Sequence, residues 1–167
     1  CDEGVLEVLD YSRIGDKAKF IPGSTYECAI GSDVYATVFA YDTSKLPEGP
    51  TTIKDLFDLE KFPGKRAMQK SPMVNLEWAL IADGVEKEKV YEVLSTPEGV
   101  DRAFKKLDTI KANVVWWEAG AQAPQLLADG EVVMTTAWNG RIATAIKEGK
   151  PFKIVWDAQA PDLDMWA

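Results

Sequence analysis

Hydrophobic positions along the chain follow two rhythms. Tyr35-Ala36-Thr37-Val38-Phe39-Ala40-Tyr41 is apolar at nearly every position, which predicts a strand buried on both faces. Val100, Ala103, Phe104, Leu107 and Ile110 instead recur at helical spacing, with Arg102, Lys105, Lys106 and Asp108 between them. Thr96-Pro97-Glu98 just before them is a capping residue followed by a proline at the first helical position. Val5 to Leu9 reads as the end of a helix, and Tyr11 to Tyr26 as irregular, broken by Gly15, Pro22 and Gly23. Short strands are predicted at Cys28 to Gly31, Arg66 to Gln69, Val114 to Trp117, Val132 to Trp138, Phe152 to Trp156 and from Leu163 to the end. Thr52 with Asp55 approximates a capping box. Ser71-Pro72 reads as the start of a helix running through Leu76 and Ile81 to Gly84. Further helices are expected at Glu88 to Leu94, Pro124 to Ala128, and Asn139-Gly140 through Ile146.

Strands alternating with helices predict an α/β fold with a mixed, mostly parallel sheet flanked by helices. Ligands of such sheets sit at the carboxyl ends of the strands, beside helix N-termini. Three loops meet that description: Gln69 to Asn75, Trp116 to Ala123, and Trp138 to Arg141.

Composition narrows the chemistry. With 167 residues and 46% apolar content including six Trp, the chain can bury a sizeable core. Its 27 acidic and 19 basic residues give a formal charge of -8, which disfavours nucleic acid and suits a cationic ligand. Histidine is absent, which removes the commonest general base, the commonest zinc ligand and every Ser-His or Cys-His nucleophile pair. No cofactor is expected. There is no run of 18 apolar residues. The chain opens on Cys-Asp-Glu-Gly-Val-Leu rather than Met; it reads as a piece of a longer protein, in preference to a lipoprotein modified at Cys1. Cys1 and Cys28 form one disulfide if the protein is exported, or are two free buried thiols if not.

Three blocks carry a family likeness: Phe62-Pro63-Gly64-Lys65-Arg66, Gly130-Glu131-Val132-Val133-Met134 followed by Ala137-Trp138-Asn139-Gly140, and Asp162-Leu163-Asp164-Met165-Trp166. In order and spacing the chain resembles the spermidine/putrescine-type substrate-binding proteins of ABC transporters over nearly its whole length. That resemblance implies a type II periplasmic-binding-protein fold: two α/β lobes joined by crossing strands, with the solute between them. Residues 1–34 would then be a remnant of lobe one or its hinge edge, residues 35–161 the second lobe, and residues 162–167 the strand returning to lobe one. A periplasmic, monomeric protein working with permease subunits is implied.

The resemblance places a ligand-stacking indole at Trp138 and an amine-binding carboxylate at Asp164, with Asp162, which points the same way, as the alternative if the register is off by two. Asn139 follows Trp138 in the same motif. Trp117 and Glu118 are expected to line the site with Gln122, because two adjacent Trp before an acid and a small-residue loop are unusual for a plain connection. Glu77 and Ser71 are further candidates from the loop after Gln69, and Tyr35 and Thr37 from the first crossing strand. A polyamine needs carboxylates for its ammonium groups and aromatic faces for its methylenes, and this set supplies both. The expected function is capture of a small cationic solute such as putrescine or spermidine, without catalysis. The alternatives are another solute on the same fold (an amino acid derivative, a sugar, or an anion served by Arg141), a carboxylate-dependent hydrolase using Glu118 and Asp164, and the sensing domain of a regulator.

Overall fold

The computed structural model describes residues 1–167. They form two compact units, Cys1–Tyr35 with Pro161–Ala167, and Ala36–Ala160. No helix is long and apolar enough to cross a membrane.

The larger unit is built on a five-stranded sheet of order β3-β2-β4-β1-β5, comprising β1 (Ile30–Asp42), β2 (Arg66–Gln69), β3 (Val114–Trp117), β4 (Met134–Trp138) and β5 (Phe152–Trp166). Strand β2 pairs parallel with β3 and β4, and β1 pairs antiparallel with β4. The sheet is therefore mixed, with three parallel strands ending on one edge. β1 and β5 are long and continuous, and chain from both units runs through each. The separate strands expected at Cys28 to Gly31 and Tyr35 to Tyr41 are thus one strand beginning at Ile30. Those expected at Phe152 to Trp156 and from Leu163 are likewise one.

Strand alternation explains the two cores. Phe39, Tyr41, Met68 and Met134 point to one face, where they pack with Trp78, Leu80, Leu56 and Ile110. Ala40, Ala67 and Ala137 point to the other, where Trp117, Leu127 and Ile142 cover them. The first face carries α2 (Ile53–Leu56), α3 (Asn75–Ala82), α4 (Val90–Leu94) and α5 (Pro97–Asp108); the second carries α6 (Gln122–Ala128) and α7 (Asn139–Lys147). Helix α5 is capped as its sequence predicts, with the Gly99 N–H donating to Thr96 Oγ1 at 3.1 Å and Pro97 opening the helix.

The Phe62-Pro63-Gly64-Lys65-Arg66 block has a physical reason in this unit. The Arg66 guanidinium is fully buried and donates to three main-chain carbonyls, of Leu56 at 2.9 Å, Gly64 at 2.6 Å and Asp58 at 2.8 Å. It closes the end of α2 and the turn leading into β2. Burial pushes the guanidinium pKa below its ordinary value, while the Asp58 charge opposes that shift. Gly64 has φ of 120°, a left-handed conformation, and a Cβ there would press on Val133.

Two expected helix boundaries are corrected. Val5 and Val8 are 78% and 66% exposed and no helix forms around them. With no apolar surface to receive that segment, the first helix is α1 (Tyr11–Ile14), initiated by Asp10, whose carboxylate accepts from the Ser12 N–H at 3.0 Å. Ser71-Pro72 does not start α3 either. The buried Asn75 carboxamide donates to the carbonyls of Gln69 and Ser71, at 2.7 and 2.8 Å, and holds the intervening chain as a turn. The helix begins at Asn75, after Val74 at φ 69°.

The smaller unit is sparse. Ser24 and Cys28 are its only buried residues. A Cys1–Cys28 disulfide, with Cα atoms 5.7 Å apart, ties down its N-terminal segment. The Leu9 N–H donates to the Glu27 carbonyl at 2.8 Å, and the Tyr11 hydroxyl to the Tyr26 carbonyl at 2.7 Å.

Candidate functional site

The parallel strands β2, β3 and β4 end at Gln69, Trp117 and Trp138, and the three loops singled out from sequence leave from that one edge. The pairing of Thr37 with Trp138 brings the start of the buried part of β1 to the same edge. The loops are stitched together there. The Gln69 N–H donates to Thr136 Oγ1 at 3.1 Å, and the Lys70 N–H to the Trp117 carbonyl at 2.8 Å. Asn139 at the start of α7 accepts the Ala36 N–H at 3.0 Å through its side-chain oxygen. Asn139 is thus a clamp between α7 and β1.

Trp138 is half-buried at the end of β4. Its ring meets that of Trp117 edge-on, with centroids 6.0 Å apart and planes at 88°. Trp117 itself is 1% exposed and belongs to the α6/α7 core, which corrects the expectation that it lines the site. Its neighbour Trp116 is the one facing outward, at 44% exposed. The cause is register: Trp117 lies on the same sheet face as Val115 and Ala67, whereas Trp116 pairs with Met68 and lies on the opposite face, on the edge strand of the sheet. Trp116 there lines a groove of about 480 Å³ with Leu76, Phe104 and Leu107. Phe104, expected inside from its helical spacing, is 51% exposed in that groove.

Glu118 is 74% exposed and forms an ion pair with Lys70 at 2.9 Å, linking two of the three loops. A pair so exposed contributes about 0–1 kcal/mol. Gln122 is the first residue of α6 rather than part of the loop, and its Oε1 accepts the N–H groups of Glu118 at 2.9 Å and Ala119 at 2.8 Å. The side chain is spent on shaping the loop. Glu77 is turned to α4, where the Tyr91 hydroxyl donates to it at 3.4 Å, and its charge raises the Tyr91 pKa. Ser71 Oγ accepts the Met73 N–H at 3.2 Å. Arg141 lies on the flank, lining a groove between α6 and α7.

Asp164 and Asp162 belong to the smaller unit, both exposed and two positions apart on β5. The Tyr35 hydroxyl donates to Asp162 Oδ2 at 3.2 Å. Burial, and then the negative charges of Asp162 and Asp164, raise the Tyr35 pKa. Ser32 Oγ donates to the Asp164 main-chain carbonyl at 3.1 Å, leaving the carboxylate itself outside that bond. No three metal-ligating side chains gather anywhere in the chain.

Sequence reasoning missed Gly120. A Cβ built on it would overlap Cζ3 and Cε3 of Trp138 and stand 3.1 Å from Cη2. The available signal was a glycine between two alanines, Ala119 and Ala121, directly after an acidic residue. Such a run marks close backbone approach. Lys70 was also missed, because a single lysine after a strand carries no pattern.

A mixed sheet covered by helices on both faces, with its connecting loops collected at the carboxyl edge of its parallel strands, defines a lobe of the type II periplasmic-binding-protein class. The chain belongs to the family of bacterial extracellular solute-binding proteins, whose pattern matches residues 1–167. That family is one of binding proteins rather than enzymes. A gamma-aminobutyric acid-binding protein of Pseudomonas aeruginosa is 52% identical over 167 residues, covering 100% of this chain and 47% of that protein. The chain thus spans about half the length of the curated relative it matches. Among solved structures, the binding protein MotA of Agrobacterium tumefaciens B6, in complex with glucopine, superposes with a TM-score of 0.85 at 39% identity, over 97% of this chain and 52% of that one. A GABA receptor superposes with a TM-score of 0.84 at 38% identity, over 98% of this chain and 50% of that one. The spermidine/putrescine-binding protein of Streptococcus pneumoniae is similar in fold alone, with a TM-score of 0.72 at 16% identity over 97% of this chain and 52% of that one. The likeness expected from sequence therefore holds at the level of the solute-binding family, and its polyamine branch is a distant one.

Proposed function

We propose that this chain is the second lobe, with its crossing strands and a remnant of the first, of a periplasmic solute-binding protein that delivers its solute to the permease of an ABC importer. We propose further that the solute is a small amino-acid-like molecule bearing an ammonium group, with γ-aminobutyrate the first candidate. One observation carries the ligand class. The carboxyl edge of the larger unit offers a half-buried indole, Trp138, and a single acidic side chain, Glu118, already neutralised by Lys70. Such an edge suits a ligand whose own charges nearly balance better than a chain of ammonium groups, each of which needs a carboxylate. The 52% identity to a protein named for γ-aminobutyrate points the same way. Trp138 would contribute a face to the ammonium or methylenes; Asp164 of the smaller unit is proposed separately as a carboxylate for an ammonium group. The polyamine alternative keeps one support, the two carboxylates Asp162 and Asp164 on neighbouring same-side positions of β5.

Calorimetric titration of the full-length protein with γ-aminobutyrate, putrescine and spermidine tests the proposal. γ-Aminobutyrate is expected to bind most tightly, and Trp138→Ala to weaken it by about 2- to 30-fold, the range of a cation–π contact of about 0.5–2 kcal/mol. Tighter binding of either polyamine would overturn the ligand assignment. Unchanged affinity in Trp138→Ala would remove Trp138 from the site.

A further inference from the structure

Gly120 and Trp138 are eighteen positions apart in sequence and in direct contact in the larger unit. We infer that Gly120 is a positioning residue for solute binding: it sets the pose of the Trp138 indole and thereby the affinity of the site. This rests on the proposed role of Trp138 in holding the solute.

Trp117 and Gly120 both meet the indole. Trp117, fully buried in the α6/α7 core, meets it edge-on at 6.0 Å. The Gly120 backbone abuts its six-membered ring at Cζ3, Cε3 and Cη2. Neither group is free to move away. Trp117 is buried in one cluster with Leu127, Ala123 and Ile142. The loop that carries Gly120 is fastened by Gln122, whose Oε1 takes the N–H groups of both Glu118 and Ala119. The loop therefore cannot relax by sliding, and any side chain at position 120 must be absorbed by rotating Trp138 out of its place. A rotated indole presents a different face to the solute.

Trp117 is itself part of this packing. Its Nε1 is buried and has no hydrogen-bond acceptor, the one such side-chain atom in the chain. An orphaned buried donor of this kind is costly. Glu118 and Gln122, chosen from sequence as ligand contacts, take a different part in this arrangement: one ties the loop to Lys70 and the other folds it onto the ring.

The test uses the full-length protein with Gly120→Ala, Trp138→Ala and the double variant. Near-ultraviolet circular dichroism without ligand reads the coupled Trp117–Trp138 pair, and calorimetry reads γ-aminobutyrate affinity. Gly120→Ala is expected to alter the aromatic dichroism before any ligand is added. It should also weaken binding by about tenfold, the scale of one lost aromatic–ammonium contact. In the Trp138→Ala background the same change should cost no further affinity. The inference is overturned if Gly120→Ala keeps wild-type dichroism, if it keeps wild-type affinity while Trp138→Ala weakens binding, or if the two losses add. Unchanged affinity in Trp138→Ala alone would instead sink the underlying reading of Trp138, and this inference with it. If Gly120→Ala fails to fold, Gly120→Ala combined with Trp138→Phe must fold, because phenylalanine lacks the ring atoms that Gly120 touches; failure of that pair also overturns the inference.

Discussion

Replacing Arg66 by methionine probes what holds the turn before β2, and with it the start of the candidate site. The substitution removes three hydrogen bonds from a charged donor to the carbonyls of Leu56, Gly64 and Asp58. Bonds of that kind contribute about 1.5–3 kcal/mol each when no water can replace the donor. Only the Leu56 carbonyl bond is fully buried, while the other two are partly open, so water recovers much of their loss. Against the loss stands a gain, because the guanidinium no longer has to be desolvated and methionine fills similar volume. The balance is a destabilisation of about 3 kcal/mol, a large part of the ~5–15 kcal/mol that a domain has. Urea unfolding followed by tryptophan emission reads it as a midpoint lowered by about 1.5 M, for a slope of about 2 kcal/mol/M. Arg66→Lys should lose nearly as much, since one ammonium cannot span three carbonyls fixed in a fork. A methionine variant within about 1 kcal/mol of wild type would show that the desolvation cost cancels the bonds. A fully stable lysine variant would show that charge matters here and fork geometry does not.

Two further outcomes follow from other parts of the chain. Burial raises the Asp55 pKa, but the N–H groups of Thr51 and Thr52 and the Lys61 charge outweigh that, so its carboxyl sits below the ordinary value. A depressed carboxyl stabilises above its unfolded pKa and loses that contribution as pH falls through its folded pKa. Asp55→Asn should therefore cost about 1 kcal/mol at pH 7, as lost caps do, and the gap to wild type should close as the solution is taken below about pH 4; a pH-independent gap would refute the ionic account. In the smaller unit, the Cys1–Cys28 bridge closes a loop with a sequence separation of 27, which by chain entropy alone restrains the open state by about 3.5 kcal/mol. Because that unit buries so little, reduction should expose residues 1–27 to limited proteolysis while the larger unit stays resistant; an unchanged cleavage pattern would mean that the short-range bonds of Leu9 and Tyr11 suffice without the bridge.

Much of the sheet was legible because its signals are local. Arg66–Gln69 and Val114–Trp117 have the predicted limits, and the caps at Thr52 and Thr96 act where the pattern places them. What failed was non-local. Val5 to Leu9 carries apolar residues without a surface to receive them, and sequence cannot show the absence of a partner. Ser71-Pro72 has the chemistry of a helix start, but the Asn75 carboxamide, four residues on, competes for the same carbonyls and wins. Trp116 and Trp117 could not be told apart because Val-Val-Trp-Trp is apolar throughout; only pairing with β2 decides which ring goes in.

The candidate site shows the same division between residue type and register, and it bears on how solute sites are found from sequence. Trp117, Glu118 and Gln122 stood out because they are chemically able to touch a ligand. In the folded chain Trp117 and Gln122 have other partners: one is sealed in the core and the other folds the loop. The residue with the least chemistry in the loop, Gly120, is the one against the indole. A stacking face is useful to a solute only if it waits in the right orientation, because affinity is lost to every rotamer that must be abandoned on binding. Fixing a large ring at the open end of a strand cannot be done from the solvent side without blocking the ligand. It has to be done from beneath and from the flank, by a buried ring and by a backbone that can come close. Trp117 supplies the first and Gly120 the second, and the exposed Glu118–Lys70 pair and the Gln122 amide keep the flank from drifting. The polar side chains of this loop thus serve the site by restraining its backbone, so that substituting Gln122 should loosen the indole without removing any group that faces the solute.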